Sequence, residues 1–416
     1  MNEDLFQLPV QIGNVTLRNP FIVGSGPTVK NIEQLELIEK CGWGAASTKQ
    51  TYNPRPYISY DPRYRWLKKE KLHIFTAEHR LDMDTGLRLV EDARKRCKEL
   101  VIIANYSDCG ENLDSWEEGA RRFEAAGTQI LELNFCCPNM SFSVDVSDQR
   151  TYRVSSGASM GQSEEQVAAV VGRLRKALSI PIIAKITPEG GRIAQVAKAA
   201  IEAGADAVSG VANRLGVAPI DIWNYKKSIY NLQGENTLGC MSGPWIKPLA
   251  MRDVFEMRKL LGPAPHINGT GGIASMPDAV QMMMCGADTI GVCTETMLRG
   301  FGFLEKWMKA LKDYMQKMGF TTARDMRDLL VPELKSAAEL TLMAGYATVD
   351  AERCSRCGVC LEIGHCNAIT MTDEAAVIDP KLCKACSTCI DMCGKQAITM
   401  VEEPAISSQR SAISKG

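Results

Sequence analysis

The chain has no excess of charge of either sign. Its 48 Lys and Arg residues stand against 49 Asp and Glu, a formal net charge of −1, so nothing favours nucleic acid or an acidic membrane surface as a partner. It has no run of about eighteen consecutive apolar residues, the length that a membrane span needs. The opening MNEDLFQLPVQIGNV carries acids and no long apolar core, so no export signal is expected there. No dinucleotide-binding fingerprint is evident either, and nicotinamide chemistry would need another polypeptide. The remaining composition, 45% hydrophobic and 23% charged, is that of an ordinary soluble globular chain. Its 416 residues accommodate one large domain and a small module.

Cysteine, by contrast, is plentiful. Eight of the sixteen fall in one stretch: Cys354-x2-Cys357-x2-Cys360, Cys366, then Cys383-x2-Cys386-x2-Cys389-x3-Cys393. A tight C-x2-C-x2-C turn supplies three of the four thiolates of a [4Fe–4S] cubane, and in two-cluster modules the other half supplies the fourth. By that rule Cys354, Cys357, Cys360 and Cys393 hold one cluster, and Cys383, Cys386, Cys389 and Cys366 hold the other. Zinc sites use isolated C-x2-C pairs, and disulfides suit small secreted domains. Asn367 and Gly394 stand where bacterial ferredoxins usually place proline, which touches loop shape more than ligation. Such a module moves single electrons. Many thiols without an export signal point to a reducing cytoplasm, and oxygen-sensitive clusters would suit an anaerobic setting.

Over residues 1–345 short apolar strands alternate with helical stretches. Candidate strands are 21–23, 45–48, 101–104, 130–134, 182–185, 207–210, 266–268 and 289–292. Amphipathic runs between them include IEQLELIEKCGWG, SWEEGARRFEAAGTQ, IAQVAKAAIEAGAD and MPDAVQMMMCGAD. The AGAD and CGAD endings read as a helix C-cap glycine followed by entry into the next strand. Eight such units predict an α/β fold of the (β/α)8 barrel type, with a doubly wound sheet as the alternative. Residues 346–403 then form a ferredoxin-like module and 404–416 a polar tail.

In a barrel the chemistry sits where strands end. Lys49 and Lys185 end the second and fifth strands; such a lysine must find an anion or reach solvent. Two at one face could neutralise an anionic cofactor. The fourth strand ends in Asn134-Phe135-Cys136-Cys137-Pro138, an amide and two thiols. That offers a proton carrier, unless the cysteines are buried and inert. The seventh ends in Asn268-Gly269-Thr270-Gly271-Gly272-Ile273, whose glycines let backbone N–H groups approach a phosphate. Cys293 and Thr294, after the eighth, suit its other side.

The segments NPFIVGSGPT, STKQ, LELNFCCPN, AKITP, SGPWIKP, TGGI and GVCT resemble the dihydroorotate dehydrogenases. With the double cysteine motif, the chain is more similar to the pyrimidine-reducing part of the dihydropyrimidine dehydrogenases, across nearly its whole length. The resemblance implies an oxidoreductase acting on a CH–CH/C=C pair, with FMN in the barrel mouth. FMN contacts would come from Gly24, Lys49, Gln50, Lys185, Gly243, Thr270, Gly271, Gly272, Cys293 and Thr294. Cys137 falls on the family's acid–base cysteine; an ordinary thiol, with a pKa of about 8.5, is mostly protonated at neutral pH and can serve as an acid. Cys136 stands where serine is expected.

The substrate shell departs from the family pattern. Its grip maps to Thr76 and Glu78, Asn134, and Asn213 with Arg214, so the amide ladder for a pyrimidine is incomplete. His79, Arg80 and Arg214 either face solvent or hold an anionic substrate group. The polar segment 139–162 reads as a lid or as an insertion. The family further implies a small-molecule substrate, a homodimer and a separate electron-donor or acceptor protein. Dihydroorotate oxidation is an alternative, against which the fused module argues. An electron-transfer subunit without its own substrate is another, against which Cys137 and the lid argue.

Overall fold

The computed structural model describes residues 6–53, 63–76, 79–110, 112–137, 156–210, 213–217, 219–226, 238–336, 339–340, 344–363 and 365–403. Eight parallel strands form a closed ring: β1 Phe21–Val23, β2 Ala45–Ser47, β3 Val101–Asp108, β4 Ile130–Phe135, β5 Ile182–Ile186, β6 Ala207–Gly210, β7 His266–Thr270 and β8 Thr289–Val292. Each pairs with the next, Ile22 opposite Ala45 and Ala45 opposite Val101, for example. Pairing of Ile290 with Phe21 closes the barrel. All eight expected strands are present, and closure excludes the doubly wound sheet.

The local chemistry explains the alternation. Strands such as VIIANYSD are buried along their whole length, because helices cover one face and the barrel interior the other. The four amphipathic runs form helices Ile32–Lys40, Leu113–Ala125, Ile193–Glu202 and Met276–Met284. Asn31, Asn112 and Ser275 cap helix N-termini by accepting backbone N–H bonds, each cap being worth about 1 kcal/mol. Gly204 and Gly286 end two helices at φ +108° and +116°, the backbone turn that the AGAD and CGAD endings require.

Two apolar layers result. Trp43, Trp116, Phe123 and Phe135 lie between strands and helices, fully buried. Inside the ring, Ile22, Ala45, Val101, Ile130, Ile183 and Ala207 pack with Ile12 and Leu17 of an N-terminal hairpin. That hairpin plugs the end where strands begin, so the polar inward-facing residues collect at the other end. A four-stranded antiparallel sheet, in the order Arg214–Gly216, Gly239–Ser242, Leu72–Thr76, Arg63–Leu67, was not expected. Its strands lie in the loops after β2 and β6, and two of them are only three and four residues long.

The chain divides into two compact units, Met1–Glu333 and Leu334–Gly416. In the second, Ala344–Val349 pairs antiparallel with Ile398–Glu403, and Ile369–Met371 with Ala376–Ile378. No helix among the described residues is long and apolar enough to cross a membrane.

Candidate active site at the strand ends

A cavity opens where the barrel strands end, enclosing about 1190 Å3 with its mouth included. All ten positions expected to contact FMN line it: Gly24, Lys49, Gln50, Lys185, Gly243, Thr270, Gly271, Gly272, Cys293 and Thr294. Asn134, Cys136, Cys137 and Asn213 join them. At Gly272, φ is +74° and a Cβ would lie 2.7 Å from the Lys247 amide nitrogen. Only glycine fits, which leaves the turn bare of side chains.

Opposite that turn, Thr294 Oγ1 donates to Ser242 Oγ at 2.9 Å, and Ser242 Oγ lies 3.3 Å from His73 Nδ1. His73 stacks on Tyr64 with ring centroids 5.3 Å apart, and Phe75 tilts against the same ring. These three side chains give the cavity an aromatic wall. It comes from the unexpected antiparallel sheet, and the sequence reading missed it.

The floor is polar. Glu132 and Asn134 alternate on β4 and so face inward together. Glu132 accepts from Ser47 Oγ at 3.0 Å and from Asn105 Nδ2, and lies 3.3 Å from Lys185 Nζ. Asn134 Nδ2 donates to Asn105 Oδ1 at 3.0 Å. Burial opposes the charge on Lys185, but the Glu132 carboxylate outweighs it and raises the ammonium above the ordinary lysine range. Lys185 is therefore a fixed cation under the cavity. Glu132 was missed too, although an acid within ILELNF, two residues before Asn134, was a usable signal.

The neighbouring thiols differ. Cys136 is buried and donates to Asn134 Oδ1 at 3.2 Å. Burial pushes its thiol up to about 12, against the pull of Lys185, so it stays protonated. Cys137 is half-buried on the cavity wall. Its carbonyl accepts from the Ala158 N–H at 3.2 Å, and its Sγ accepts from Arg80 Nη2 at 3.0 Å. Arg80, read from sequence as a charge near the mouth, is 1% exposed; His79 is exposed.

Arg214 does not line the cavity. Its guanidinium donates to Asp253 Oδ2 at 2.7 Å and to the Pro188 carbonyl at 3.1 Å, because it lies on a strand whose neighbour Asn213 takes the wall position. Thr76 ends the strand Leu72–Thr76. Glu78 lies outside the described residues, as does the expected lid up to residue 155.

In the second unit the cysteines gather in two sets. Cys366, Cys383, Cys386 and Cys389 line one small pocket; Cys354, Cys357, Cys360 and Cys393 line another. All sixteen cysteines are free of disulfides. Among the described residues no group of three or more His, Cys, Asp or Glu closes in as a single metal ion would require. The two C-x2-C turns repeat one backbone form. Arg356 and Gly358 in the first, and Ala385 and Ser387 in the second, have φ between +52° and +78°. The non-glycine residues cost about 1 kcal/mol or more each in that conformation. Backbone N–H groups of Ala347 and Ala397 donate to Cys383 and Cys393 sulfurs at 3.4 and 3.3 Å.

Comparison with known proteins decides the family. The family model described as dihydroorotate dehydrogenase matches residues 7–315. The chain belongs to the dihydroorotate dehydrogenase family. It is 29% identical over 365 residues to the NAD-dependent dihydropyrimidine dehydrogenase subunit PreA of Escherichia coli (strain K12), covering 85% of this chain and 84% of that one. It is 34% identical over 326 residues to the dihydroorotate dehydrogenase B (NAD(+)) catalytic subunit of Pyrococcus horikoshii, covering 77% and 96%. The solved structure of DHODH from Eimeria tenella in complex with ferulenol superposes with a TM-score of 0.61 over 79% of this chain and 90% of that one. At 18% identity that likeness speaks for the fold. The chain is thus a flavin-dependent oxidoreductase acting on CH–CH bonds, dihydropyrimidine dehydrogenase-like within its family.

Proposed function

We propose that the chain interconverts the CH–CH and C=C forms of a pyrimidine-like ring, with FMN in the barrel cavity and two [4Fe–4S] clusters in a ferredoxin-like second unit. The observation that carries this reading is the gathering of ten separated positions around one cavity, with Cys137 on its wall. The residues suit FMN. Lys49 and Lys185 offer cations to an anionic cofactor, and the bare Gly271–Gly272 turn faces Thr294 where a phosphate is held in such barrels. The cysteine quartets suit cubanes, whose four thiolates lie farther apart than the ligands of one ion. When bound, FMN supplies hydride exchange with the substrate and the clusters carry electrons singly.

The protein's own groups do the rest. Cys137 holds the proton that adds to the carbon beside the one receiving hydride, and as thiolate takes it back in the reverse direction. Asn134 and Asn213 present amides to ring carbonyl and N–H groups, with Thr76 and Glu78 as further substrate contacts. Glu132 keeps Lys185 charged. The aromatic wall excludes water. A separate NAD-linked electron partner belongs to this reading, since both relatives are named as subunits of NAD-dependent enzymes; a homodimer belongs to it as what the family resemblance implies. A reducing, cytoplasmic setting suits sixteen free thiols.

Dihydroorotate is the second reading, raised by the name of the Pyrococcus relative. Its carboxylate would need a cation besides Lys49 and Lys185, which this reading gives to the cofactor, and Arg214 is engaged by Asp253. The test is anaerobic flavin bleaching by dihydrouracil, dihydrothymine and dihydroorotate, with FMN, iron and sulfide measured on the same sample. We expect one FMN and about eight irons per chain, with faster bleaching by the uncharged dihydropyrimidines. Protein without FMN, or bleached by none of these rings, overturns the proposal.

A further inference from the structure

We propose that Arg80 is the positioning residue for Cys137, directing its proton into the cavity and holding the sulfur's charge once the proton has left. This rests on Cys137 being the proton carrier. Arg80 Nη2 lies 3.0 Å from Cys137 Sγ. Cys137 lines the cavity and Arg80 does not, so the guanidinium sits behind the thiol, out of reach of a substrate in front of it. Guanidinium N–H groups only donate, so the sulfur must accept. A thiol whose lone pair is turned to Arg80 has its S–H turned elsewhere, and Cys137 lines the cavity.

The same contact discriminates between the two states of the sulfur. As the S–H bond breaks and a C–H bond forms on the substrate, the negative charge stays on Sγ. The hydrogen bond from Arg80 then joins two ions and strengthens. An interaction stronger after transfer than before lowers the barrier rather than merely binding. The fold fixes this geometry at a cost. Burying a cation needs a compensating partner, and Arg80 is 1% exposed. Its position is set by the next residue: Leu81 N–H donates to the Gln50 carbonyl at 3.0 Å, and Leu81 O accepts from Tyr52 N–H at 3.1 Å. Asp82 then caps the helix Met83–Arg96. Cys136, one residue from Cys137, points to Asn134 instead. Arg80 therefore distinguishes two adjacent thiols by place.

The test is the rate at which iodoacetamide alkylates Cys137 in the full-length holoenzyme, followed by peptide mass mapping, which needs no turnover. Arg80→Met should slow alkylation about tenfold, the equivalent of one charge-assisted hydrogen bond. Arg80→Lys, which keeps the charge, should recover to within about threefold. Turnover of Arg80→Met should fall through kcat with little change in KM, because the lost contact acts in the transition state. Should Arg80→Met lose its flavin, Arg80→Gln, a neutral donor of similar reach, decides by the same alkylation rate and should also be slowed. Alkylation of the flavin-replete Met or Gln variant at the wild-type rate overturns the proposal, as does a Lys variant as slow as Met. Cys137→Ser with normal turnover would instead remove the proton-carrier reading and leave the alkylation result standing.

Discussion

In the barrel, most side chains that hold the fold are not those that line the cavity, although Ile22 and Ile273 do both. Trp43, Trp116, Phe123 and the strand residues lie between layers, whereas Lys49, Cys137 and Thr294 face the strand ends. In the second unit the buried apolar cluster is only Ala347, Ala368, Ile378, Cys389 and Ile398, and Cys360, Cys366, Cys383 and Cys393 pack directly on it. There a thiol is core and candidate ligand at once. A small unit with so little apolar core ordinarily needs a metal to stand, and left-handed residues at Arg356, Ala385 and Ser387 add a cost that ligation would offset. Site and stability should therefore be separable in the first unit and inseparable in the second.

The largest test of that contrast is iron removal. Anaerobic chelation should abolish the structure of residues 344–403, seen as lost hydrogen-exchange protection, since the binding energy of a structural metal is folding energy. Protection in the barrel strands should be unchanged. Retention of protected amides in the iron-free second unit would break the comparison, and would equally count against the clusters.

Next in size is Cys137→Ser. Loss of a general acid costs about 10²- to 10⁴-fold in turnover, because a hydroxyl is a far weaker acid than a thiol. The melting temperature and the flavin content should stay at wild type, since Cys137 is only half-buried and belongs to neither apolar layer. Cys136→Ser restores the family's usual residue and should cost much less. Near-normal turnover of Cys137→Ser would show that another group moves the proton.

The two units were also legible in sequence for different reasons. The barrel announces itself by repetition: apolar strands, amphipathic runs and a glycine at several helix ends recur at the right intervals. The cysteine unit announces itself by spacing alone, and the quartets read from spacing are the sets that line the two pockets. What escaped is what neither signal carries. Strands Arg214–Gly216 and Gly239–Ser242, three and four residues long, are too short for alternation to stand out. Arg80 and Arg214 read alike as basic residues near the mouth, but Arg80 went to a sulfur and Arg214 to an acid, a choice made by partners distant in sequence. The ten positions expected to contact a cofactor meet on one cavity because nine of them lie at or just after barrel strand ends, whose place the barrel fixes; Gly243 instead follows the strand Gly239–Ser242.

The smallest effect is expected where fold and site touch within the barrel, at Asp278. Its carboxylate accepts from Lys247 Nζ at 2.5 Å, Ser275 Oγ at 2.8 Å and the Ala274 N–H at 3.1 Å. It thus ties down the segment that follows Gly271–Gly272, at the start of the helix Met276–Met284. Burial alone would raise this acid, but the bonds from Lys247, Ser275 and Ala274 outweigh it and hold the group below the usual aspartate range. A depressed carboxyl stabilises the fold above its unfolded-state pKa, and that contribution disappears as pH falls through the folded-state value. Asp278→Asn should therefore cost about 1–2 kcal/mol at pH 7, the scale of a helix cap with one charge-assisted bond. The gap from wild type should narrow as pH falls below about 4, where the unfolded chain takes up the proton before the folded carboxylate does. Denaturant melts at pH 7 and pH 3.5 measure both arms. FMN affinity, read by flavin fluorescence, should weaken in parallel, because the loop that loses its tether carries the bare glycine turn. A variant destabilised equally at both pH values would mean that Asp278 acts through packing rather than charge. A variant destabilised at pH 7 with unchanged flavin affinity would extend the separation of fold and site to the loop that carries the glycine turn.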